Sequence, residues 1–267
     1  MLRDPFLKGL RDQRRSLAIW AASVSCYVVM MCSLFPSIRE SAGDLQGYID
    51  SMPEAFRKAF MGASTDFGDA VTYLNGELFS FMTPLLLIAF GIAVAAAQIA
   101  GEEESGTLGL LLAYPVSRAR LLAQKYAVLV TGTVVLCAAH LAAMSVADVM
   151  IGLGLPAGDL VGAHVMLLLL ALAVATVAFA VGAATGKRGL TIAIGAALGV
   201  VAYLLNIVAQ LVQSLLWLQK LSLFYYYGGA EPLRLGLQPA NAVVLLLVTA
   251  VAGGVAWFAF ARRDVHV

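Results

Sequence analysis

Charge is what this sequence has least of. Charged residues make up 12% of its 267 positions, hydrophobic residues 61%, and the mean hydropathy is +0.88. Water-soluble domains carry about 25% charged residues. A chain this apolar cannot hide its apolar surface in one core, so lipid must act as solvent for much of it. Neither sign of charge dominates. The formal net charge is +1, and no basic face is evident, which excludes a nucleic-acid partner.

Other absences narrow the field. Only Cys26, Cys32 and Cys137 occur, all in apolar runs and without a CxxC or His/Cys cluster. A disulfide framework and a metal site are therefore excluded, and the three thiols read as small buried hydrophobes. The eight prolines and 25 glycines are scattered and mark no linker. No G-x-x-x-x-G-K-[ST] occurs; Gly186-Lys187-Arg188-Gly189 is a basic turn, so the chain binds no nucleotide phosphates through a P-loop. Ser-His-Asp and Cys-His sets are missing, which argues against an enzyme. A glutamate-based intramembrane protease needs histidines at membrane depth, and only His140 and His164 offer themselves. Five basic residues precede the first apolar run, as in a signal peptide, but no small-residue cleavage site follows, so the run reads as a retained span.

What is present is six long apolar runs, at 16–35, 78–100, 121–147, 160–185, 190–211 and 240–261. A bilayer core of about 30 Å needs about 20 apolar residues per helix. In lipid every backbone N–H and C=O needs an internal partner, which makes helices the default, and a barrel would need short alternating segments. The sequence predicts an all-α integral membrane protein with six transmembrane helices in a single domain over 1–267.

Lysine and arginine set the orientation. Twelve fall on the side of the two termini, including Arg118, Arg120, Lys125, Lys187, Arg188, Arg262 and Arg263, against five on the other side. Both termini are expected in the cytoplasm. The external loop 37–76 carries six acids, which suits an acidic outer face.

Three segments are neither span nor simple turn. Residues 2–15, basic with Leu2, Phe6, Leu7 and Leu10, read as an interfacial helix on the inner leaflet or as a basic topogenic flank. In the external loop Met52, Phe56, Ala59, Phe60 and Ala63 share one helical face opposite Glu54, Arg57 and Lys58, with Met61 as the exception. That pattern predicts a short amphipathic helix. Residues 213–239, with Trp217 and Tyr225-Tyr226-Tyr227, predict short helices at the outer leaflet with aromatic anchors at headgroup depth.

The most informative stretch follows the second span: Ala100-Gly101-Glu102-Glu103-Glu104-Ser105-Gly106-Thr107-Leu108, continuing to Pro115-Val116-Ser117-Arg118. Leu108, Leu111 and Leu112 share a helical face, Pro115 stops the helix, and Ser117 can cap the next one. By itself this is an amphipathic helix with an acidic start, able to dock on a partner or on the chain's own helices. The acids are expected to meet basic residues of a partner.

These residues resemble the membrane subunits of type-2 ATP-binding-cassette exporters. Lys125, Leu78-Phe79-Ser80-Phe81 with Pro84, and the stretch from Leu221-Ser222-Leu223-Phe224-Tyr225-Tyr226-Tyr227 to Pro232-Leu233-Arg234 are similar to further family landmarks, and the resemblance covers essentially the whole chain. It implies a permease subunit of the plasma (cell inner) membrane that is not itself an enzyme. ATP and Mg would bind in a separate ATPase subunit, and a second permease subunit, identical or related, would complete the transporter. It also implies that Glu102, Glu103, Glu104, Gly106, Thr107, Leu108, Pro115 and Arg118 couple to the ATPase. An ATPase-independent secondary transporter or channel is the alternative.

Tyr203, Asn206, Gln210 and Gln213, with Ser214, form a polar stripe on the fifth span. Such a stripe should face protein or a cavity, as a translocation path or as interhelical hydrogen bonding. His140, deep in the third span, reads as a packed neutral histidine. The topology is testable in intact cells with an impermeant thiol reagent, using Ser51→Cys or Ser105→Cys in a background lacking the three native cysteines. Labelling at position 51 and protection at position 105 are expected; the reverse pattern inverts the topology.

Overall fold

The computed structural model describes residues 4–43, 47–48, 51–54, 56–57, 66, 68–112 and 116–263, with 110–112 and 213 as backbone only. All secondary structure among them is helical. Six helical stretches are long and apolar enough to cross a membrane, so the chain is a multi-pass membrane protein.

Helix α1, Pro5–Glu40, starts where Asp4 accepts a hydrogen bond from the Phe6 backbone N–H at 2.9 Å, with proline at its first position. The basic segment that the sequence suggests as a separate interfacial helix is the first part of this same unbroken helix. Its 36 residues span about 54 Å at 1.5 Å per residue, well beyond the hydrocarbon thickness. The amphipathic helix expected around Phe56 has its residues 55 and 58–65 outside the described set; residues 54, 56 and 57 are helical.

The second run is broken in a useful way. Helix α2, Ala70–Leu74, passes into a π-helical turn, Asn75–Phe79, before α3, Met82–Gln98. The wider turn re-aims backbone and side-chain groups that an α-helix would use internally. Buried Asn75 accepts from the Leu233 backbone N–H at 2.8 Å, and the Phe79 carbonyl accepts from the Tyr227 hydroxyl at 3.1 Å. These bonds moor the segment after the fifth span, which folds as a 3-10 helix, Gln213–Leu221, and two short helices, α9 (Leu223–Tyr227) and α10 (Pro232–Leu235). Arg234 adds an ion pair to Asp69 at 3.0 Å. Of the aromatic residues read as anchors, Trp217 is 61% exposed, but Tyr227 is fully buried. Its burial pushes the phenol well above its ordinary range.

The remaining helices are the short α4 (Ala100–Glu104) and α5 (Thr107–Leu112), and the long α6 (Arg118–Ile151), α7 (Ala157–Thr185), α8 (Arg188–Leu211) and α11 (Pro239–Arg262). Helix α7 is the hub, packing on α3, α6, α8, α10 and α11. Small residues allow the close approach. A side chain on Gly91 would come within 2.7 Å of Ala175, and one on Gly195 within 2.9 Å of Ala178. Outward faces stay apolar, with Ile19, Val149, Leu247 and Val251 all more than half exposed, as expected where lipid is the solvent.

One polar network crosses the core. His164 Nδ1 lies 2.7 Å from the Leu160 carbonyl, which can only accept, so Nδ1 carries the proton. His164 Nε2 then accepts from His140 Nδ1 at 2.8 Å, and His140 Nε2 accepts from the Thr83 hydroxyl at 3.1 Å. The Phe79 ring stands edge-on to both imidazoles. The chain joins α3, α6 and α7 with both rings neutral and satisfied, which is the packed reading of His140.

Gly162 of α7 faces the backbone of Gly236 and Leu237, where any Cβ would collide, whereas Gly158 has open space around it. Because backbone cannot move aside like a side chain, Gly162→Ala is expected to cost about 1–3 kcal/mol. It should melt earlier than the parent in detergent, and Gly158→Ala should not. Equal melting of the two variants would mean that α7 and the segment after α10 are not in contact.

Candidate functional site

Helices α4 and α5 form an elbow between the second and third long helices. Successive residues on a helix point about 100° apart, so three consecutive glutamates diverge, and each meets a different part of the chain. Glu102 Oε1 accepts from Lys125 Nζ of α6 at 2.5 Å and from Lys8 Nζ of α1 at 3.3 Å. Glu103 pairs with the Arg263 guanidinium just beyond α11. Glu104 Oε1 accepts from the Arg188 backbone N–H at 2.8 Å, one of the free donors at the start of α8. Arg118 Nη1 donates to the Arg263 carbonyl at 2.5 Å, closing the cluster.

The acids expected to face a partner's basic residues are thus held by their own chain. The bundle brings the start of α1, the end of α11 and the starts of α6 and α8 to one end, the terminal face, and basic residues flanking separate spans converge there. Lys125 is 1% exposed and Glu102 14%, so this ion pair is shielded from solvent. A cavity of about 330 Å³ beside it is lined by Lys8, Asp12, Gln98, Glu102, Lys125 and Arg188, among others. Gln98 Oε1 and Glu102 Oε2 are buried without a hydrogen-bond partner among the described residues.

The rest of the elbow divides into an inward and an outward part. Leu108 is fully buried in the main core, so the apolar face of α5 packs on the chain's own helices at that position. Thr107 Oγ1 donates to the Glu102 carbonyl at 3.1 Å, fastening α5 to α4. Ser105 and Gly106 are exposed, and Gly106, at φ 70°, is the left-handed turn between the two helices. Pro115 lies outside the described residues. Ser117 caps α6, its hydroxyl accepting from the Arg120 backbone N–H at 3.3 Å. Gly186, at φ 66° after α7, lies directly under the Glu103–Arg263 pair, where a Cβ would strike both side chains.

The polar stripe of α8 is split by depth. Tyr203 lies in an apolar cavity of about 520 Å³ between α3 and α8, its ring 4.9 Å from Phe81 and 5.3 Å from Phe224. Asn206 and Gln210 line a separate polar cavity of about 360 Å³ with Gln219, Tyr225, Glu231 and Asn241. Asn206 is 4% exposed with Oδ1 unpartnered, and Gln210 donates to the Asn206 carbonyl at 3.2 Å. The Gln213 side chain lies outside the described set.

Sequence reasoning missed Lys8, Arg188 and Arg263 as members of the site, and singled out Lys125 through the family resemblance without pairing it to Glu102. The only signal of the first three was basic charge at span ends, which topology alone accounts for. Among the described residues no group of three His, Cys, Asp or Glu could hold a metal.

Removing one member of a buried ion pair strands the other, at about 3–5 kcal/mol. Lys125→Met should therefore destabilise the chain in detergent, and adding Glu102→Gln should recover part of the loss, as coupled neighbours do. Additive effects in that double-mutant cycle would show that the two side chains do not pair.

Comparison with known proteins agrees with this architecture. No curated protein matches the chain. The family model for ABC-2 family transporter proteins matches residues 6–265, which takes in all six long helices, the elbow and the segment after the fifth span. The chain belongs to the ABC-2 family of transporter proteins.

Proposed function

We propose that this chain is the membrane-spanning permease subunit of an ATP-binding-cassette exporter, set in the plasma (cell inner) membrane with both termini cytoplasmic. The observation that supports it most is a family match over the whole six-helix bundle in a chain without a P-loop. A transporter of this family needs ATP, so a separate ATPase subunit binds ATP and Mg. The elbow is the element suited to meet it. It lies on the terminal face, exposes the Ser105–Gly106 turn, and is fixed to the bundle through Leu108 and the three glutamates. In this reading Glu102, Glu103, Glu104, Gly106, Thr107, Leu108, Pro115 and Arg118 couple the bundle to the ATPase, with the exposed turn at Gly106 in the contacting surface.

Six spans make half a transporter, so a second permease subunit, identical or related, completes the path. Tyr203, Asn206 and Gln210 are proposed to line it, with Gln213 beyond them, because α8 carries both the apolar cavity and the polar one. Closure of the ATPase dimer would rock the two six-helix halves and change access to these cavities.

The experiment is affinity purification of the full chain from its native membrane, followed by ATPase assay of the complex and of the stripped chain. An ATPase subunit with a P-loop should co-purify, and the chain alone should hydrolyse no ATP. Turnover by the isolated chain, or transport in vesicles that contain this chain and no ATPase, overturns the assignment in favour of an enzyme or a secondary transporter.

A further inference from the structure

We propose that Glu102, Glu103 and Glu104 act as an intramolecular clasp that divides one displacement of the elbow among four long helices. Glu102 drives α1 and α6 through Lys8 and Lys125, Glu103 drives α11 through Arg263, and Glu104 drives α8 through its first backbone N–H. This rests on the coupling reading above. It assigns Lys8, Lys125, Arg188 and Arg263 as positioning residues, which touch neither ATP nor cargo.

Three features separate a clasp from a set of stabilising ion pairs. The first is divergence. A single pair would hold α4 in place, yet three adjacent carboxylates reach three directions, and among the described residues no partner is shared between them. The second is the lack of other fastening. In α4 only Ala100 is buried, and Ser105 and Gly106 beyond it are exposed. Apart from the buried Ala100 methyl, the elbow between Ile99 and Leu108 therefore grips the other helices by polar bonds, which are directional and can re-form. The third is an unequal grip at Glu102. Both ammonium groups sit on Oε1, while Oε2 is buried and unpartnered beside a cavity of about 330 Å³. A rotation of the carboxylate can pass one ammonium to the second oxygen without ever leaving either charge unpaired. Two charge-paired arrangements of one cluster are what a transmitting element requires.

Gly186 completes the geometry. Its left-handed turn ends α7 directly beneath the Glu103–Arg263 pair, so the hub helix supports the clasp by contact and has no charged tie to it. The Ser105–Gly106 turn, outside the clasp, is left as the surface on which an ATPase can press.

The test uses the full chain with its co-purified ATPase in lipid nanodiscs. Hydrogen–deuterium exchange is measured with and without Mg²⁺ and a non-hydrolysable ATP analogue. In the parent, nucleotide should alter exchange at the elbow and also at residues 5–15, 118–126, 188–193 and 258–263. Glu103→Gln should lose the response at 258–263 alone, Glu104→Ala at 188–193 alone, and Glu102→Gln at both 5–15 and 118–126. Glu102→Lys with Lys125→Glu should restore the response at 118–126 that either single reversal loses. A merely stabilising role predicts the same loss everywhere, or none, in each single variant. Either pattern overturns the clasp while the coupled ATPase leaves the permease reading intact. Failure of any ATPase to co-purify with the parent overturns both.

Discussion

Lys125 sits two turns into a 34-residue helix and is 1% exposed, a position that only the Glu102 carboxylate, 2.5 Å away, makes tenable. A buried charge without a counter-charge is among the most destabilising groups a protein can hold. The remaining geometry of the terminal face follows from meeting that requirement. Helix α4 must leave α3 at the angle that delivers Glu102 to Lys125, and this angle sends Glu103 toward Arg263 and Glu104 toward Arg188. Gly186 packs closely below the same cluster, and Leu108 is buried beside it.

At the distal face a different constraint operates. The chain between α8 and α11 is too short and too broken to pack as long helices, and its backbone groups need partners. The π-helical turn Asn75–Phe79 provides two partners: the Asn75 side chain accepts from the Leu233 backbone N–H, and the Phe79 carbonyl accepts from the Tyr227 hydroxyl. Asp69, ahead of α2, holds the Arg234 side chain. The same stretch places Phe79 against the two histidines, so the distal mooring and the neutral network of the core share one residue.

Between the two faces lie an apolar cavity along α3 and α8 and, farther toward the distal face, a polar one. Both border α8, whose first backbone N–H is bound by Glu104. One helix thus runs from the elbow, past the apolar cavity, to the amide-lined space at its far end. A protein that must move a cargo in response to an event at one face needs a rigid element of this kind, and an α-helix supplies it because its backbone bonds are internal.

The sequence by itself determined the class, the six apolar helices, the sorting of basic residues to two sides, the elbow with its capped exit at Ser117, and the family. Each is a local property: a run of about 20 apolar residues can satisfy its backbone in lipid only as a helix, and a serine before a helix caps it whatever surrounds it. Only the tertiary structure decided where charges and polar groups point. Glu102, Glu103 and Glu104 read from the sequence as acids for a partner's basic residues, because Lys8, Lys125 and Arg263 lie in other segments of the chain and become their neighbours only when the helices pack. The same holds for Tyr227, which reads as a surface anchor and is buried because the π-helical turn offers its hydroxyl a carbonyl, and for His140, whose partner His164 lies on another helix. Contacts between helices depend on crossing angles and close approaches set by residues such as Gly91 and Gly162. Those positions look unremarkable along the chain and acquire their meaning from the surface they meet.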